Sequence, residues 1–233
     1  MNILVCGGAG FIGSEFIRNH LKNNLNSKIV NLDALKIGSN LSNLKSVENN
    51  QNYSFIKDDI RNELVIDSLI KDVDVVVNFA AESHVDRSIA NPKPFLETNI
   101  LGTYSILESI RKYDKQFIHV STDEIYGDAY GQESFSEESQ INPSNPYAAT
   151  KAAADNLVAS YYRTYGINCI TTRCTNNFGP FQFPEKLIPK TIIRSIKNLK
   201  VPLYGDGSQI RSWIYVNDHV NAIESLISKG KAG

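Results

Sequence analysis

A glycine loop between a short apolar strand and the start of a helix restricts this fold more than any other feature. Asn2-Ile3-Leu4-Val5-Cys6 reads as a buried strand, and Gly7-Gly8-Ala9-Gly10-Phe11-Ile12-Gly13 follows it directly. Glycines in such a place let the backbone turn tightly, and they let a helix pack close against the strand it leaves. They also leave the helix N-terminus open to a pyrophosphate. The spacing is Gly-x-x-Gly-x-x-Gly, with Gly7, Gly10, Gly13 and the intervening Phe11 and Ile12 as candidate cofactor contacts.

The rest of the chain repeats the same alternation. Residues 2–6, 28–32, 53–56, 73–79, 116–121 and 167–173 read as strands, and 11–24, 62–71, 93–113 and 146–165 as amphipathic helices. Strands separated by helices need crossover connections, which place them parallel in a sheet covered on both faces. The expected fold class is therefore α/β, a Rossmann-type doubly wound parallel sheet. From about residue 178 the pattern changes, with Pro180, Pro184, Pro189 and Pro202 set around a helical stretch at 186–198. A strand at 213–216 and a helix from about 217 follow. Residues 1–178 are expected to form the dinucleotide-binding domain with the catalytic residues. Residues 179–233 are expected to begin a smaller, incomplete substrate-binding lobe, interleaved with the last elements of the sheet.

Composition excludes several classes of function. Net charge is −1, from 24 basic and 25 acidic residues without a basic block, so no nucleic-acid or anionic membrane partner is expected. No apolar run reaches the length of about 20 residues needed to span a bilayer. The first strand starts at once, without the basic region and cleavage site of a secretory signal. Cys6, Cys169 and Cys174 are odd in number and lack Cys-x-x-Cys spacing. They read as core thiols in a reducing, cytoplasmic setting, and no metal site is expected.

Asp33 stands at the end of the second strand, 20 residues after Gly13. There a carboxylate can accept hydrogen bonds from an adenosine ribose and repel a 2′-phosphate, which favours NAD over NADP; capping the strand end is its other available role. Asp59-Ile60 follows the third strand, where an adenine edge would lie, and an ordinary turn aspartate reads equally well there. Tyr147 and Lys151 lie four residues apart, on one face of a helix. An ammonium there is expected to lower the phenol pKa and to hold ribose hydroxyls. The phenol could then take the proton of a substrate hydroxyl. Ser83-His84-Val85-Asp86 contains the letters of a hydrolase triad, but chain neighbours do not make triad geometry. His119 alternates into a strand interior and reads as a core histidine.

Taken together, the glycine loop, the Ser121-Thr122 strand end and Tyr147/Lys151 resemble the extended short-chain dehydrogenases/reductases that act on nucleotide sugars. Three further stretches, residues 80–89, 121–128 and 183–189, resemble the dTDP-glucose 4,6-dehydratases within that group. The Asp123-Glu124 pair is the most discriminating of these features. The resemblance implies NAD-mediated oxidation at C4, elimination of water across C5–C6, and return of hydride to C6, giving dTDP-4-keto-6-deoxyglucose for deoxysugar biosynthesis. It implies Glu124 as the base at C5, Asp123 as the acid at O6 and Thr122 as a hydrogen-bond partner of the C4 hydroxyl. On the cofactor side it implies Phe11, Ile12, Asp33, Asp59, Ile60, Ala80, Ala81, Thr98, Tyr147, Lys151 and Asn177. On the dTDP-glucose side it implies Ser83, Thr122, Asn176, Lys186, Leu187, Pro202, Tyr204 and Arg211. It also implies a homodimer built through a helix bundle from 93–113 and 146–165.

The sequence departs from the family pattern in three places. Cys6 replaces a usual Thr ahead of the glycine loop. Ser212 replaces a usual Asp beside Arg211. The family also continues for a further nucleotide-binding segment, so a C-terminally truncated chain is expected. The alternatives are another NAD-dependent nucleotide-sugar dehydratase, decarboxylase or epimerase, or an NAD-binding fragment without turnover.

Overall fold

The computed structural model describes residues 1–129, 134–203 and 205–233. Its central sheet contains β1 (Asn2–Cys6), β2 (Lys28–Leu32), β3 (Tyr53–Ile56), β4 (Val75–Asn78), β5 (Gln116–Thr122) and β6 (Cys169–Cys174). All are parallel, in the order β3-β2-β1-β4-β5-β6. Chain direction across the sheet reverses between β1 and β4, which opens a crevice at their carboxyl ends.

Alternation along the strands supplies both layers. Ile3 and Val5 of β1 face α1 (Phe11–Asn23) and α8 (Val216–Lys229), packing with Phe16, Ile17, Val220, Ile223 and Ile227. Leu4 and Cys6 face the opposite layer, made of α2 (Glu63–Lys71), α5 (Gly102–Tyr113) and α6 (Pro146–Tyr165). Ile66, Ile70, Ile106, Leu107, Ile110 and Val158 fill that side. Each such side chain, fully buried, is worth about 1.5–3 kcal/mol.

Helix ends follow their capping residues. Asn62 accepts from the Val65 N–H to start α2, with Glu63 in its first turn and Lys71 in its last. Asn145 accepts from the Ala148 N–H at 2.9 Å and Pro146 takes the first position of α6, which Gly166 ends in the left-handed region.

Several expected elements are subdivided. A helix over 93–113 is present as α4 (Lys93–Phe95), a π-helical stretch (Leu96–Leu101) and α5. The strand expected at 73–79 is limited to Val75–Asn78, and β6 starts only at Cys169. Two elements were not anticipated. One is α3 (Val85–Ala90), which overlaps the end of the 80–89 stretch. The other is β7 (Asn176–Phe178), which pairs in parallel with β8 (Trp213–Tyr215) as a separate two-stranded sheet. Between these two strands, α7 (Leu187–Ile196) has no buried residue. No helix among the described residues is long and apolar enough to cross a membrane.

Candidate active site

A cavity of about 800 Å³ lies over the crevice between β1 and β4. At one end the glycine loop turns back on the sheet. Gly7 has φ +78°, and a Cβ there would come within 2.6 Å of the Ala80 backbone nitrogen. A Cβ on Gly13 would come within 2.5 Å of the Gly7 carbonyl. Only glycine fits the close approach at both places, which leaves the loop backbone and the start of α1 facing the cavity.

Asp33 holds this loop from the tip of β2. Its carboxylate accepts from the Ala9 N–H at 2.9 Å, the Leu35 N–H at 2.8 Å and the Ser39 hydroxyl at 3.3 Å. A carboxylate has about four lone-pair sites, so an acceptor position remains on the cavity side. The two readings of Asp33 are thus compatible, since one side chain organises the loop and also lines the cavity.

Asp59 is gripped by two cations, Arg61 through Nη2 at 2.9 Å and Lys36 through Nζ at 3.0 Å. Burial opposes its charge, yet Arg61 first and Lys36 next bring its pKa down to about 2. Lys36 also donates to the Thr98 hydroxyl at 3.0 Å. Ile60, Ala80, Ala81 and Thr98 complete the wall at this end.

The catalytic candidates meet on the other side. β5 ends in Ser121-Thr122 and runs straight into a 3₁₀ turn, Asp123–Tyr126. The Thr122 hydroxyl caps that turn by accepting from the Glu124 N–H and donating to Asp123 Oδ1, each at 3.3 Å. Burial, and then the neighbouring Glu124, raise the Asp123 carboxyl above its ordinary value. Thr122, Glu124, Tyr147 and Lys151 all line the cavity, whereas Asp123 is not part of its wall.

Ser88 of α3 accepts from the Tyr147 N–H at 3.1 Å, and Phe95 meets the Tyr147 ring edge-on at 6.4 Å. Burial holds the phenol above its usual pKa, and the Thr122 hydroxyl beside it works the other way. The expectation of a phenol lowered by Lys151 is not met in this state. The Lys151 ammonium instead donates to the Val120 carbonyl at 2.8 Å. Buried Ser121 Oγ, also on the wall, has no partner among the described residues.

Substrate-side candidates approach from the small sheet and the segment before α7. Lys186 donates to the Ser83 carbonyl at 3.3 Å, and the preceding Glu185 receives Arg87 at 2.7 Å. His84 Nε2 also lies 3.6 Å from Glu185, although burial disfavours its charged form, and Ser83 meets Lys186 through its backbone carbonyl rather than its hydroxyl. Asn176 donates to the Ser212 carbonyl at 3.5 Å, while Arg211 is exposed and donates to the Ile210 carbonyl. Leu187 and Pro202 line the cavity and Tyr204 lies outside the described residues. Asn177 is buried, with its Oδ1 2.9 Å from Nδ1 of His219, whose pKa burial lowers to about 4.

The expectation of three core thiols needs correction at one position. Cys6 and Cys169 are buried, but Cys174 sits on the cavity wall because β6 ends at the crevice. Sequence reasoning missed Lys36 and Asn99. A basic residue three positions after Asp33 was a usable sign of the first. Asn99 joins three segments, accepting from the Glu82 N–H at 2.9 Å and donating to Thr150 at 2.9 Å and to the Glu82 carbonyl at 3.1 Å. Nothing local announces it.

The loop-lined crevice and the Tyr-x-x-x-Lys helix beside it define the class: a dinucleotide-dependent enzyme of Rossmann type, with a pair of carboxyls added at the end of β5. The chain belongs to the GDP-mannose 4,6 dehydratase family, whose family model matches residues 4–233. It is 44% identical over 242 residues to a dTDP-glucose 4,6-dehydratase of Xanthomonas campestris pv. campestris (strain B100), covering 99% of this chain and 68% of that protein. Among solved structures it resembles the Bacillus anthracis dTDP-glucose 4,6-dehydratase in complex with NAD (TM-score 0.93, 46% identity), covering 100% of this chain and 73% of that one. The Streptomyces venezuelae dTDP-glucose 4,6-dehydratase, also with NAD bound, gives a TM-score of 0.96 at 41% identity, covering 100% and 74%.

Proposed function

We propose that this protein is an NAD-dependent dTDP-glucose 4,6-dehydratase, producing dTDP-4-keto-6-deoxyglucose and water. The observation that carries the reading is the Asp123-Glu124 pair. Two adjacent carboxyls in unlike surroundings stand at the end of β5, on the side of the cavity where Tyr147 and Lys151 lie. Oxidation of an alcohol alone would not need them.

NAD would lie along the glycine loop, Asp33, Asp59-Ile60, Ala80-Ala81, Thr98, Lys151 and Asn177, all of which line the cavity. When bound, it supplies hydride acceptance at C4 and hydride donation at C6. The chain's own residues handle protons. Tyr147, once ionised beside the Lys151 ammonium, takes the proton of the C4 hydroxyl, which Thr122 orients. The resulting ketone acidifies the C5 hydrogen, and Glu124 removes it and gives a proton back to C5 when C6 is reduced. Asp123, whose carboxyl holds its proton to higher pH than an exposed aspartate, delivers a proton to the departing O6. Lys186 and Arg211 supply positive charge for the diphosphate.

Three cysteines without a disulfide support a reducing, cytoplasmic setting. Exposed Leu101, Tyr104, Tyr162 and Tyr165, on the adjoining helical surfaces of the π-helical stretch, α5 and α6, support a homodimer formed through these helices.

The test is incubation of the intact protein with NAD and, separately, dTDP-glucose, GDP-mannose, CDP-glucose and UDP-sugars. The 4-keto product is followed by its absorbance in alkali. Product from dTDP-glucose is expected. Turnover of another nucleotide sugar with none from dTDP-glucose overturns the reading.

A further inference from the structure

A second charged cluster lies behind the Tyr147–Lys151 pair, and none of the proton steps above uses it. Asp155 follows Lys151 by one turn of α6, and both residues are buried. The Asp155 side chain is only 1% exposed. Arg173 of β6 approaches one oxygen, Nε to Oδ2 at 3.0 Å, and His119 of β5 approaches the other, Nε2 to Oδ1 at 3.5 Å. Arg173 is held in turn by the Tyr126 hydroxyl at 2.9 Å and the Glu137 carbonyl at 3.4 Å. Facing Lys151 are the Val120 carbonyl of β5, Cys174 of β6 and, on its own helix, Asp155.

Arg173 alone would pair the carboxylate, so the placement of Lys151 one turn away has a separate consequence. A buried ammonium loses hydration and tends toward its neutral form, and a nearby anion opposes that tendency. Burial does push Lys151 below the ordinary lysine range, and Asp155 acts against the fall. Burial first and Lys151 second hold His119 below its ordinary pKa, so its charged form is disfavoured beside Asp155.

We propose that Asp155 is a positioning residue that keeps the Lys151 ammonium charged beneath Tyr147, with Arg173 limiting how much of the carboxylate's field Lys151 receives. The inference rests on the reading of Tyr147 and Lys151 as the oxidation pair. It makes opposite demands on two variants. Removing Asp155 exposes Lys151 to burial alone. Removing Arg173 deletes a competing cation and leaves more of the carboxylate's field for Lys151.

The experiment follows lysine Cε resonances of the intact, 13C-labelled protein across pH, with Lys151 assigned by the peak lost in Lys151→Arg. Asp155→Asn is expected to lower the Lys151 midpoint by about 1–3 pH units. Asp155→Glu is expected to hold it near the parent, and Arg173→Gln to raise it. The alkaline limb of C4 oxidation moves with the midpoint. An unchanged midpoint in Asp155→Asn overturns the proposal, and so does an unchanged or lowered one in Arg173→Gln at pH values where the Asp155 carboxyl carbon still reports its ionised form. If Asp155→Asn does not fold, Arg173→Gln decides alone. Full C4 oxidation in Tyr147→Phe would sink the oxidation-pair reading, whereas an unmoved midpoint beside an inactive Tyr147→Phe sinks only the role of Asp155.

Discussion

At the residue scale, Asp123 and Glu124 differ in what surrounds them although they are neighbours in the chain. Glu124 lines the cavity, and Asp123, half-buried beside it, has a carboxyl raised by burial and by Glu124. Tyr147→Phe should lower C4 oxidation by about 10²–10⁴-fold, the usual worth of a positioned proton acceptor. Glu124→Gln should still oxidise but stall before elimination, seen as a lasting NADH absorbance in a single turnover. Normal product release by either variant refutes its assigned role. The sign of the pH dependence follows from the raised carboxyl. Asp123 donates only while protonated, so elimination should fall as pH rises through a midpoint above the ordinary carboxylate range. Asp123→Asn should lose both the rate and this limb, and persistence of the limb would assign it to another group. These residues were legible because each belongs to a contiguous stretch of sequence. Asn99 was not, since its partner Thr150 lies 51 residues away.

At the scale of elements, α6 carries both members of the oxidation pair, and its start is fixed by one side chain. Asn145 satisfies the Ala148 N–H, which would otherwise be an orphan donor in the turn holding Tyr147. Asn145→Ala should cost about 1 kcal/mol of stability. Thermal denaturation checks this, and a melting temperature equal to the parent's would show that the cap contributes nothing. The bounds of α6 were readable because Asn145-Pro146 opens it and Gly166 closes it. The six strands of the main sheet were readable from short apolar runs whose alternate residues feed two cores. By contrast, α3 is only 6 residues long with one buried side chain, Ser88, so no apolar stripe marks it. β7 has only 3 residues, too short for a period to register, although its partner β8 was readable at 213–216. The π-helical stretch keeps the composition of a helix while changing its hydrogen bonding, which composition does not report.

For the whole molecule, the exposed aromatic surface of α5 and α6 makes a claim about assembly. If two copies join there, Tyr104→Asp combined with Tyr162→Asp should weaken dimerisation at least tenfold, or about 1.4 kcal/mol. Sedimentation at several concentrations measures this, and an unchanged distribution removes these helices as the interface. The return of α8 to the main sheet has a different consequence, one concerned with time. All six strands are complete by Cys174, but Val220, Ile223 and Ile227 cover Ile3, Val5 and Phe16 from the other end of the chain. A nascent polypeptide therefore has only part of the cover on one side of its earliest strand until the ribosome has delivered residue 227. Over that interval an early-made strand waits on a helix made more than 200 residues later. Chaperones that shield apolar surface during synthesis would find their longest-lived target at its beginning.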